Sequence, residues 1–182
     1  KSFLNYFKKK NIILENKISP YESNVDFHHN FKKLYNGQVN YNIFSSKLCT
    51  DIYAIRINCQ LFNKDHNKLY DLIFIGDSFT EGVGLNHEDT FVGILESKLK
   101  NIKIGNFAVS SYSPTLYYLK IKKYLEDGFK FKELFVFIDI SDVQDEANNV
   151  YYMEVVRNNK QFTLPELENK NIRGEENITL RS

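Results

Sequence analysis

From residue 69 to about residue 145 the chain alternates short apolar runs with helical periodicity, and the stretch before it does not. Leu69-Tyr70-Asp71-Leu72-Ile73-Phe74-Ile75 is rich in branched and aromatic residues and is stopped by Gly76, which predicts a buried strand. Asp89 or Thr90 can cap a helix that carries Phe91, Ile94, Leu95 and Leu99 on one face. Ile102-Lys103-Ile104 restarts a strand that ends near Asn106. Pro114 suits the first turn of a helix carrying Leu116, Leu119, Ile121, Tyr124 and Leu125, closed by Gly128. Residues 133–140 form a third strand, nearly all apolar and therefore expected at the centre of a sheet. Strand, helix, strand, helix, strand at this spacing predicts right-handed crossovers and a parallel sheet with helices on its faces. Residues 1–68, polar and aromatic with loop clusters such as Tyr35-Asn36-Gly37, are expected to be an irregular N-terminal segment packed on the core. Residues 150–182 suggest a hairpin around Asn158-Asn159 and then a polar extension.

Composition narrows the class. A chain of 182 residues that is 42% hydrophobic can bury the core of one domain. With 24 basic and 23 acidic residues, binding to nucleic acid through bulk charge is disfavoured. No run approaches the roughly 18 to 20 apolar residues of a membrane span, the longest clean one being Leu134-Phe135-Val136-Phe137-Ile138. Lys8-Lys9-Lys10 precedes only Asn11-Ile12-Ile13-Leu14 before Glu15, too little for a signal peptide. Cys49 and Cys59 are too far apart for a CxxC motif; they are read as two buried or partly buried thiols, or as one disulfide.

In open α/β sheets, function collects beyond the carboxyl ends of the strands. Three segments fall there: residues 76–82, residues 106–113 and residues 139–142. Gly76 lets the backbone turn sharply, so that Ser78 can project its hydroxyl over the sheet edge, with turn N–H groups available to an oxyanion. The segment is not a G-x-S-x-G elbow, because position 80 is Thr, and no Gly-Lys-Ser/Thr follows that would make a phosphate loop. A serine capping a helix start is the competing reading.

The segment Ile73-Phe74-Ile75-Gly76-Asp77-Ser78-Phe79-Thr80-Glu81-Gly82 resembles the first block of the SGNH, or GDSL, hydrolases. Asn106-Phe107-Ala108-Val109-Ser110-Ser111-Tyr112-Ser113 resembles their second block. Phe137-Ile138-Asp139-Ile140-Ser141-Asp142 stands where the third, normally Gly-x-Asn-Asp, belongs. The resemblance implies a flavodoxin-like three-layer α/β/α fold with a central parallel sheet, formed by an SGNH-like domain over residues 69–182. It implies ester hydrolysis without cofactor or metal, on an acyl ester such as the O-acetyl groups of a bacterial glycan. An acyltransferase that passes the acyl group to a glycan, and a non-catalytic glycan-binding module, are the alternatives. Ser78 corresponds to the nucleophile. The oxyanion hole would be formed by the N–H of Ser78, the N–H of Ser111 at the second-block glycine, and Ser141 at the third-block asparagine. Gly76, Asp77, Asn106 and Asp142 are expected to support the site, Asp77 by fixing the turn.

The family places its base in a C-terminal Asp-x-x-His block, and no histidine follows His87. The base is therefore expected downstream of this chain, which the resemblance marks as truncated. His87 is expected to be an exposed loop residue, His66 a solvated one, and His28-His29 a surface pair that could complete the site from a neighbouring lobe. Asp51-Ile52-Tyr53-Ala54-Ile55-Arg56 resembles an Asp-x-x-Gly-Phe-Arg stretch found before the serine block in some envelope-polysaccharide members. The alternative there is an edge strand with an exposed arginine.

Overall fold

The computed structural model describes residues 19–41 and 44–147. The hairpin expected in residues 150–182 lies outside them. Strands β1 (Tyr21–Asn24) and β2 (His28–Phe31) form a two-stranded antiparallel sheet. Six further strands are β3 (Asn36–Tyr41), β4 (Phe44–Thr50), β5 (Arg56–Ile57), β6 (Leu69–Ile75), β7 (Ile104–Asn106) and β8 (Lys130–Val136). They form one mixed sheet in the order β3-β4-β5-β7-β6-β8. β7, β6 and β8 pair in parallel, whereas β3, β4 and β5 pair antiparallel. The halves meet where β5 pairs antiparallel with β7, Arg56 opposite Asn106. Helices α1 (Ser78–Glu81), α2 (Phe91–Lys98) and α3 (Pro114–Glu126) follow β6 and β7.

This overturns the flavodoxin-like expectation. The sheet is mixed and not a central parallel one, and the segment expected to be irregular supplies five strands, three of them in the main sheet. The cause is physical. An antiparallel strand with one wet face needs few apolar residues. In β4, Ser45 and Lys47 are exposed while Ser46 and Leu48 are buried, so backbone pairing with β3 carries the strand. β8, expected to be central, is instead last in the order, with Phe135 and Val136 exposed. In α2 the buried residues are Val92 and Gly93, and Phe91, Ile94 and Leu99 are exposed. Gly93 sets that orientation, since a Cβ there would lie 2.0 Å from the His87 carbonyl oxygen. Cys49 and Cys59 form a disulfide, Cα atoms 5.2 Å apart, that ties β4 to the turn after β5. No helix among the described residues is long and apolar enough to cross a membrane.

One core joins the hairpin, the sheet and α3. Phe27 and Phe31 from the hairpin pack with Phe107, Val109, Leu116, Tyr117, Ile121 and Tyr124. Phe107 meets the rings of Tyr70 and Tyr124 at 5.4 and 5.3 Å between centroids, in the edge-on geometry that aromatic pairs favour. Lys120 is fully buried in this core. Its Nζ donates to Asn30 Oδ1 at 3.0 Å and lies 5.4 and 5.6 Å from the Tyr112 and Tyr124 ring centroids. Burial lowers its pKa to about 7.

The unfolded chain therefore holds a proton on Lys120 that the folded chain lacks at mildly alkaline pH, so stability should rise with pH across that window. Urea unfolding of the wild type between about pH 7 and about pH 9 should show a rise of up to ~1.4 kcal/mol per pH unit. The Lys120→Met variant should lose that slope; an unchanged slope would mean that Lys120 stays charged in the fold.

Candidate functional site

The site is built from the chain as it leaves β6. A Cβ at Gly76 would lie 2.2 Å from Thr80 Oγ1 and 3.2 Å from the Phe137 carbonyl oxygen, so the turn has no room for a side chain. Asp77 Oδ1 accepts from the Phe79 N–H at 3.0 Å and caps α1. Ser78, half-buried, opens that helix, and Gly82 closes it in the left-handed region at φ 81°.

Three buried side chains hold this loop from beneath. The Arg56 guanidinium donates Nη1 to the carbonyls of Glu81 and Gly82 and Nη2 to that of Leu85, the last two at 3.0 and 2.6 Å. Asn106 Nδ2 donates to the Thr80 carbonyl at 3.0 Å, and its Oδ1 accepts from the Ala108 N–H at 3.2 Å. Glu81 accepts from the Tyr21 hydroxyl at 2.7 Å on Oε1 and from the Ser110 N–H at 2.5 Å on Oε2. Burial raises the Glu81 carboxyl, and the Arg56 charge opposes that rise. Arg56 is thus a buried clamp and not an exposed edge arginine. Upstream, Asp51 Oδ1 accepts from the N–H groups of Tyr53 and Ile55, both at 2.9 Å, and Ala54 between them has φ 63°.

The second segment runs beside the end of β6, with Phe107 N–H on the Phe74 carbonyl at 2.8 Å and Val109 N–H on that of Gly76 at 3.2 Å. Ser111 follows at φ 61°. In the third segment, Ser141 Oγ donates to Asp139 Oδ1 at 2.5 Å and reaches Asp77 Oδ2 at 3.4 Å. Ser78 Oγ reaches the same Asp77 oxygen at 3.5 Å. Ser78 and Ser141 therefore converge on one carboxyl group. None of these bonds places Ser111 on that carboxyl; its neighbour Ser110 is tied to Glu81 of the serine helix. Asp142 is buried and accepts from the Tyr117 hydroxyl at 2.9 Å.

Asp77, Asp139 and Asp142 bring carboxylate oxygens within 4.8 Å of one another. Oxygen donors of this kind suit a hard cation, yet these carboxyls already accept from Phe79, Ser141, Asp139 and Tyr117. Burial, then the charges of Asp139 and Asp142, raise Asp77, while hydrogen bonds from Ser141 hold Asp139 down. Of the two carboxyls, Asp77 therefore holds its proton the more tightly. Asp145 at the same rim is pushed up to about 6, by burial first and then by its acidic neighbours.

The hydrogen bonds of the four histidines go to partners other than Ser78. His87 is buried with Nε2 2.7 Å from Glu96, correcting the expectation of an exposed loop residue. His66 Nε2 lies 3.1 Å from the Leu61 carbonyl. His28 and His29 are no loose surface pair: their Nδ1 atoms are 2.7 Å apart, and His29 Nε2 is 2.8 Å from the Ser110 carbonyl. A cavity of about 480 Å³ between α3 and the β6–β8 edge, lined by Ile75, Tyr117, Ile121, Leu134 and Val136, includes none of the three serines.

Sequence reasoning missed Glu81 and Tyr21, and gave His28-His29 only as a surface pair that could complete the site. Nothing local marks a glutamate as buried, whereas the Asp51–Arg56 spacing did carry a signal for Arg56. The chain matches no family model, no curated protein and no solved structure.

Arg56→Met leaves Glu81 and three loop carbonyls without the guanidinium, and should cost about 3 to 5 kcal/mol in chemical unfolding. A cost under about 1 kcal/mol, typical of exposed pairs, would refute the clamp. Ala54→Gly removes a left-handed alanine and should raise stability by up to ~1 kcal/mol, read as a higher melting temperature. A lower one would contradict the strain.

Proposed function

We propose that the chain is a serine esterase with an SGNH-type site, acting on an acyl ester of the class of glycan O-acetyl groups. The observation that carries this reading is a backbone one. Among the described residues, four that are not glycine have positive φ: His28, Leu34, Ala54 and Ser111. Ala54 and Ser111 occupy two of the three positions where the resembling motifs have glycine and this chain does not; Asp139, at the third, has no positive φ. Positive φ is uncommon outside glycine, and the sequence comparison contains no backbone angles, so the coincidence is independent support.

In this reading Ser78 Oγ attacks the acyl carbonyl carbon, and the carbonyl oxygen takes up the negative charge. The N–H groups of Ser78 and Ser111 hold that oxyanion, with the Ser141 hydroxyl as a third donor once it leaves Asp139. The alkoxide leaves as the alcohol, and water attack on the acyl-serine releases the acid and restores Ser78. Each oxyanion donor is worth about 2.7 to 4 kcal/mol of barrier. The proton of Ser78 needs a base, and the four histidines are engaged away from it. Acylation by the chain alone is accordingly slow. That engagement, together with Ser141 bound to Asp139, favours a second reading, a glycan-binding module.

Incubation of the full chain with an aryl acetate separates the two. The esterase reading predicts slow acetylation on the peptide that contains Ser78, abolished in Ser78→Ala. Equal aryl acetate turnover by both proteins with no acetyl on Ser78 would favour the binding module.

A further inference from the structure

The hairpin β1–β2 reaches the proposed oxyanion hole through one peptide group. Ser110 is held on both sides. Its N–H donates to Glu81 Oε2 at 2.5 Å, and its carbonyl oxygen lies 2.8 Å from His29 Nε2. A carbonyl only accepts, so Nε2 of His29 carries the hydrogen. Burial lowers the His29 pKa to about 3, which leaves the ring neutral and its Nδ1 an acceptor. His28 Nδ1, 2.7 Å away, must then be the donor of that pair. The His29 backbone is fixed in turn, its carbonyl accepting from the Tyr112 hydroxyl at 2.6 Å, and the Tyr112 ring stands edge-on to the imidazole at 5.0 Å. The relay runs His28 to His29 to the Ser110 carbonyl.

The carbonyl of Ser110 and the N–H of Ser111 belong to the same planar trans peptide and point in opposite directions. Holding the oxygen therefore aims the hydrogen. The hydrogen bond also polarises the amide and makes its N–H a stronger donor. Ser111, at φ 61°, lacks the easy access to this conformation that glycine has, so the peptide needs an outside hold.

We propose that His29 is a positioning residue: through the Ser110 carbonyl it sets the direction and strength of the Ser111 N–H. The catalytic consequence rests on the esterase reading above; the hold on the peptide does not.

Two measurements on the full chain test this. Nitrogen-detected NMR of the wild-type imidazoles should show His29 protonated at Nε2 and His28 at Nδ1. The reverse tautomer for His29 would overturn the proposal without any variant. In His29→Phe, which keeps a ring but no donor, the Ser111 backbone amide should shift in proton and nitrogen while amides of β6 and α3 stay in place. Acetylation of Ser78 by an aryl acetate should fall between about tenfold and about 100-fold. His29→Gln, which restores an N–H donor, should recover part of both effects. An unmoved Ser111 amide in His29→Phe overturns the proposal even if acetylation falls. A Ser111 shift in a protein whose wild type is never acetylated at Ser78 supports the hold on the peptide and sinks the esterase reading.

Discussion

Everything at the candidate site depends on a buried guanidinium. Arg56 sits where the antiparallel and parallel halves of the sheet meet, opposite Asn106, and its side chain runs under the loop that carries Ser78. A charge in that position is tolerated only if its donors are satisfied and a counter-charge is near. The loop carbonyls of Glu81, Gly82 and Leu85 supply the acceptors and the Glu81 carboxylate supplies the charge. One residue therefore knits the two halves of the sheet and fixes the serine loop. Glu81 passes the constraint on, to Tyr21 in the hairpin and to Ser110 in the second segment. The first two segments of the candidate site are thus mechanically one unit.

The electrostatics of the third segment follow from crowding of acids. Asp77, Asp139 and Asp142 crowd one another, and the pair nearest Ser78 is driven apart: burial and its acidic neighbours raise Asp77, while hydrogen bonds from Ser141 lower Asp139. This leaves two serine hydroxyls around a carboxyl group whose hold on a proton is strengthened. Such an arrangement orients both hydroxyls. Around it the surface is apolar, with Phe79, Ile138 and Ile140 exposed.

The parallel strands at the site were legible because they are apolar runs punctuated by Gly76, Asn106 and a long amphipathic helix with Pro114 at its start. The antiparallel half was not, because Asn36–Tyr41 carries one aliphatic side chain and is held by pairing with β4. An apolar run also misled: residues 133–140 have the composition of a central strand, yet in the described sheet β8 is an edge strand. The face of α2 was set by a close approach at Gly93, which no periodicity reveals. At the site, Ser78, Asp77 and Asn106 could be picked out from local spacing. Glu81 and Tyr21 could not, because their roles arise from contacts 29 and 60 residues apart in the chain.

The proposed esterase reading requires Ser78, among the serines, to accept an acyl group. Treatment of the full chain with a serine-directed fluorophosphonate, followed by tandem mass spectrometry of its peptides, tests this most directly. The expected result is one adduct, on Ser78. Modification spread over exposed serines, or placed on Ser111 or Ser141 with Ser78 untouched, would contradict it.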